Sequence, residues 1–91
     1  MTLGRMPPVA AKLPTKIGRA RTALAENLVR LRRMRNFTQE SLAFEAGLHR
    51  TFVAHLERRA RNPSLDNIEK LAIVLGVEAY DLLRPRKTST G

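Results

Sequence analysis

The segment Thr38 to Pro63, TQESLAFEAGLHRTFVAHLERRARNP, constrains the fold more than any other part of the chain. Its pattern predicts a short helix, a tight turn through Gly47 and a second helix. At about 100° per residue, Arg50, Thr51, Ala54, His55 and Arg58 share an arc of roughly 140° on that second helix. Val53 and Leu56 point the opposite way, and Phe52 lies near the boundary. One side of the helix is therefore suited to a core and the other to a groove.

The rest of the chain supplies the core. Leu24, Leu28, Leu31 and Met34 recur at helical spacing and predict a first helix over about Thr22 to Arg35, closed by Asn36 in a left-handed conformation. Phe37 then turns into the core, and Thr38 caps a second helix, Gln39 to Ala46, with Leu42, Ala43 and Ala46 inside. The third helix spans about Arg50 to Arg58, followed by a loop to Pro63. Ser64 caps a fourth, Leu65 to Leu75, whose Leu65, Ile68, Leu71, Ala72 and Leu75 face inward and which Gly76 ends. A short fifth helix, about Ala79 to Leu83, stops before Pro85. The expectation is an all-α, five-helix domain over residues 21–84, between a flexible basic tail at 1–20 and a second basic tail at 85–91.

Composition narrows the class. Ninety-one residues suffice for one small domain with tails. Without cysteine there is no disulfide framework, thiolate metal site or thiol nucleophile, which fits a cytoplasmic setting. No apolar run is long enough to span a bilayer, and Pro7, Pro8 and Pro14 interrupt any signal-peptide core. Seventeen Lys and Arg against eight Asp and Glu give a net charge of +9, which implies a polyanionic partner. The basic residues do not lie opposite a broad aromatic-rich face, so nucleic acid is favoured over a membrane surface. His49 and His55 have no acidic or cysteine companions at catalytic or ligand spacing, and there is no glycine-rich phosphate loop. The chain is not expected to be an enzyme or to hold a metal or cofactor.

Leu28 to Leu83 resembles the phage-repressor-like, Cro-type (XRE) helix-turn-helix family. The matching residues are Leu31-Arg32, Phe37-Thr38-Gln39-Glu40, Leu42-Ala43 and Gly47-Leu48, then Val53, Leu56-Glu57-Arg58, Asn62-Pro63-Ser64-Leu65, Leu71-Ala72 and Leu75-Gly76-Val77. Within the family, LHRTFVAHLERRARNPSLD looks most like restriction–modification controller proteins and small phage or plasmid regulators. The resemblance implies a lambda-repressor-like fold and a transcriptional regulator that binds a palindromic operator in double-stranded DNA as a homodimer.

It also implies roles. Arg50, Thr51 and His55 would read bases in the major groove, where an Arg can donate two hydrogen bonds to a guanine. Phe52 suits either DNA contact or core packing. Thr38, Gln39, His49, Arg58, Arg61 and Asn62 would hold phosphates, Gln39 with help from its helix dipole. Arg32 and Glu57 would form a partly buried ion pair that orients the third helix. Val77, Tyr80, Leu82 and Leu83 would form the dimer surface, or alternatively close the core. Arg59 stands where the family usually has a glycine, so an ending with positive φ would strain it. An alternative is an antitoxin or adaptor of the same fold whose partner is a protein held by the N-terminal tail.

Overall fold

The computed structural model describes residues 17–86, which form five helices with no strand among them. These are α1 (Arg19–Met34), α2 (Gln39–Ala46), α3 (Arg50–Glu57), α4 (Leu65–Leu75) and α5 (Ala79–Leu83). The expected bounds of α2, α4 and α5 hold, α3 stops one residue short of Arg58, and α1 both begins and ends earlier than Thr22–Arg35. Arg19 and Ala20, read as part of a tail, belong to α1 behind Gly18, whose φ of 114° redirects the chain. Residues 1–16 of that tail and residues 87–91 lie outside the described residues.

One apolar cluster joins all five helices. α1 contributes Leu24, Leu28 and Leu31, α2 contributes Leu42, Ala43 and Ala46, and α3 contributes Val53 and Leu56. Ile68, Leu71, Ala72 and Leu75 from α4 and Leu82 from α5 complete it. α2 packs on α3 and α4, while α1 packs on α3 and α5. Ala43 is buried, and its small side chain allows α2 to pack closely on its neighbours.

Three apolar residues depart from the sequence reading. Met34 is 63% exposed because α1 ends there and the chain turns away before a neighbour can cover it. Leu65, at the first position of α4, is 74% exposed. It lies roughly 70° around the helix from the mean direction of Ile68, Leu71, Ala72 and Leu75. Leu82 is fully buried in the core cluster, so it closes the fold and is no part of a dimer surface.

Helix ends explain much of the punctuation. After α1, Asn36 has φ 60°, its N–H donates to Arg33 O, and Phe37 N–H donates to Arg32 O. This paired closure satisfies carbonyls that the helix leaves open. The same closure recurs at Gly47, where Leu48 N–H reaches Ala43 O, and at Gly76, where Val77 N–H reaches Ala72 O. α3 ends likewise with Arg59 in the left-handed position at φ 61°, and Ala60 N–H bonded to His55 O at 2.8 Å. The expected departure from glycine is therefore a strained residue at an ordinary helix ending.

A buried polar residue secures the other end of the fold. Asn27 is 2% exposed on α1, and its Nδ2 donates toward the carbonyls of Asp81, Leu82 and Arg84 at 3.2, 2.9 and 2.9 Å. Its Oδ1 accepts from Arg30 Nη2 at 3.0 Å. A short helix such as α5 has few bonds of its own, so these side-chain bonds serve carbonyls that its last turn leaves open.

Replacing Arg59 with glycine removes the left-handed strain. Arg59→Gly is expected to stabilise the domain by about 1 kcal/mol and raise Tm by roughly 4–8 °C. Thermal denaturation checks this; an unchanged or lower Tm would show that the Arg59 side chain offsets its backbone strain.

Candidate nucleic-acid interface

The chemistry-bearing residues of the motif gather on one shallow concave surface. α3 supplies Arg50, Thr51, Ala54 and His55, its C-cap supplies Arg58, and the start of α2 supplies Thr38, Gln39 and Glu40, with Arg32 and Phe37 completing the lining. The five residues assigned to the outward arc of α3 thus share one face. Val53 and Leu56 are buried behind it.

The face is held by a network centred on Glu57. Arg32 Nε donates to Glu57 Oε2 at 2.6 Å and Arg32 Nη2 donates to Oε1 at 3.1 Å. Both side chains are largely buried, at 12% and 7% exposure. Arg32 Nη1 also donates to the Phe37 carbonyl at 3.0 Å, and Gln39 Nε2 donates to Glu57 Oε1 at 2.8 Å. The forked Arg–carboxylate geometry expected for Arg32 and Glu57 is present, tying α1, the turn before α2 and the last residue of α3 together.

Gln39 Nε2 gives one of its two hydrogens to Glu57, which leaves a second amide N–H at the start of α2. The backbone at the start of α2 remains suited to an anion: the N–H groups of Gln39 and Glu40 have no intrahelical acceptor. Thr38, which is exposed, caps the same helix end. Its hydroxyl oxygen accepts from Ser41 N–H at 2.9 Å, while Ser41 Oγ accepts from Thr38 N–H at 2.9 Å. This reciprocal cap occupies the hydroxyl within α2.

Around this surface, His49 is exposed and makes no side-chain cap bond, so it is open to a ligand. Phe52 is half-buried against the core, which favours the packing side of its two readings. Above its ring lies the Arg61 guanidinium, 5.7 Å from the centroid, an arrangement that positions a loop cation. Arg58, Arg61 and Asn62 are exposed. Arg50 lies 3.6 Å from Glu40, with both side chains exposed, a pairing that the sequence reading did not anticipate.

Two helices joined by a left-handed glycine, with a cationic outer face on the second, define a helix-turn-helix domain. The helix-turn-helix family HTH_3 matches residues 28–82, and the chain belongs to that family. It is 58% identical over 48 residues to control protein C.BamHI of Bacillus amyloliquefaciens, covering 53% of this chain and 59% of that one. A hypothetical transcription factor of Neisseria meningitidis is 48% identical over 65 residues, covering 71% of this chain and 61% of that one. The chain thus spans about three-fifths of the length of these two relatives. The crystal structure of the hypothetical transcription factor NHTF from Neisseria superimposes with a TM-score of 0.72 at 43% identity, covering 81% of this chain and 86% of the other. The restriction–modification controller protein C.AhdI of Aeromonas hydrophila superimposes with a TM-score of 0.66 at 42% identity, covering 68% and 94% of the two chains.

Removing the Glu57 carboxylate strands a largely buried guanidinium and releases Gln39. Glu57→Ala is expected to cost about 3 kcal/mol or more, whereas Glu45→Ala, at an exposed site, should change stability by about 0.5 kcal/mol or less. Urea denaturation of the two variants compares them; equal midpoints would contradict the role given to Glu57.

Proposed function

We propose that the chain is a sequence-specific regulator of transcription that binds a palindromic operator in double-stranded DNA, as a controller or repressor in the cytoplasm. The observation that carries this reading is the face of α3, where Arg50, Thr51, His55 and Arg58 project together beside the start of α2. An α-helix fits the major groove, and the exposed first turn of α3 brings Arg50 and Thr51 to base edges. The free N–H groups at the start of α2, with Arg58, Arg61, His49 and Asn62, suit the flanking phosphates. Relatives named as control proteins and transcription factors support the same reading. Among the described residues no helix is long and apolar enough to cross a membrane. The adaptor alternative rests on the N-terminal tail, of which residues 1–16 lie outside the described residues.

A palindrome calls for a two-fold dimer with its α3 helices about 34–36 Å apart. The proposed interface, expected on α5 with Val77, is extended here to the exposed side of α4 and loses the buried Leu82. Tyr80 is 61% exposed and Ile73, which the sequence reading placed nowhere, is 77% exposed. Val77 and Leu83 are half-buried against the core at the same end of the chain. Tyr80→Glu is expected to give a folded monomer in analytical ultracentrifugation, because its side chain is outside the core. A dimer of undiminished affinity would place the interface elsewhere.

The functional test uses a duplex selected from a random pool, compared with its scrambled version across a salt series. Arg50→Ala should reduce the operator-to-scrambled affinity ratio by about tenfold or more, as loss of a bidentate base contact does. Arg61→Ala should weaken both duplexes alike and lower the salt slope by about one unit. An Arg50→Ala variant with an intact ratio would contradict base reading by α3.

A further inference from the structure

Glu40 is an anomaly on a surface suited to a polyanion. It is the one acid among the residues lining the concave face, and its side chain is 75% exposed. Capping does not account for it, since Ser41 closes the box with Thr38. Among the described residues it makes no hydrogen bond, and its one close charged neighbour is Arg50, with Nη1 to Oε1 at 3.6 Å. A carboxylate here faces approaching phosphates, where like charge opposes binding.

From this arrangement we infer that Glu40 is a positioning and specificity-determining residue that acts through Arg50, an inference that rests on the base-reading role proposed above. A separation of 3.6 Å is too long for a hydrogen bond, so the carboxylate attracts the guanidinium without occupying its donors. Arg50 keeps its forked N–H groups for a guanine edge while its charge stays near α2. On a cognate duplex, one edge of the guanidinium bonds the base and another faces Glu40, so the carboxylate remains compensated. On a non-cognate duplex, Arg50 gains a phosphate only by leaving Glu40 uncompensated beside the DNA backbone. Glu40 thus penalises non-specific binding and favours the one orientation of Arg50 that reads a base.

The test is a double-mutant cycle with the selected and scrambled duplexes, using Glu40→Gln, Arg50→Ala and the pair. Glu40→Gln keeps the shape of the side chain and removes its charge. It should tighten scrambled DNA by about three- to tenfold with little change at the operator, lowering the specificity ratio by the same factor. With Arg50→Ala already present, Glu40→Gln should affect both duplexes equally and leave the ratio unchanged. Glu45→Gln, on α2 but outside the concave face, reports the effect of net charge alone and should tighten both duplexes equally. Melting temperatures separate the role from helix stabilisation, since loss of a first-turn acid lowers Tm without altering a ratio of affinities. A discriminating wild type whose ratio survives Glu40→Gln overturns the role of Glu40 alone. So does a ratio that falls equally with and without Arg50. A wild-type chain with no operator preference overturns the base-reading proposal and this role with it.

Discussion

The carboxylate of Glu57 fixes the relation among three helices. Its two oxygens accept from Arg32 Nε and Nη2 on α1 and from Gln39 Nε2 at the start of α2, while Glu57 itself is the last residue of α3. A pair this well buried loses hydration on folding, so its net contribution to stability can be small even when breaking it is costly. What it supplies is direction. Apolar packing by Val53 and Leu56 holds α3 against the core but is tolerant of rotation, whereas a forked guanidinium and an amide converging on one carboxylate admit one arrangement. That arrangement turns Arg50, Thr51, His55 and Arg58 outward together and sets the start of α2 beside them.

The cations on and around this face are arginines. Lys70 is the one lysine among residues 17–86. A planar guanidinium offers a fork that matches a guanine edge or a phosphate and also stacks on an aromatic ring, uses that an ammonium serves less well. Arg32 is committed to Glu57, Arg61 lies over Phe52, and Arg50 lies near Glu40 without a hydrogen bond. The same residue type therefore performs a structural task in one place and leaves its donors open for a ligand in another. Burial and partner decide which.

Much of the fold was legible because its signals are local. Thr38, Ser64, Gly47 and Gly76 each specify a helix end through their own backbone or hydroxyl chemistry, and α2 and α4 lie where those residues place them. Asn36 occupies a left-handed position for the same local reason, whereas Arg59 does so against its own preference. The missed features depend on distant partners. Met34 and Leu65 carry the right spacing but stand at helix ends where no neighbour covers them. Leu82 and Tyr80 look alike as apolar residues of one short helix, yet packing buries the first and exposes the second. Asn27 interrupts an apolar stripe between Leu24 and Leu28, a visible anomaly, but its acceptors lie more than fifty residues away on α5. Gln39 and Glu40 were adjacent polar residues at a helix start; only the tertiary fold directs one to Glu57 and brings the other near Arg50.

The most direct test of the α2–α3 face as the DNA surface is the backbone amide NMR spectrum of the whole chain titrated with its selected duplex. Binding through this face should produce the largest shift changes at Gln39 to Ser41, at Arg50 to Arg58 and in the loop through Asn62. Residues in the second half of α4 and in α5 should move little beyond what dimer formation causes. Large changes confined to the outer side of α1 or to α5, with α3 unperturbed, would contradict the account.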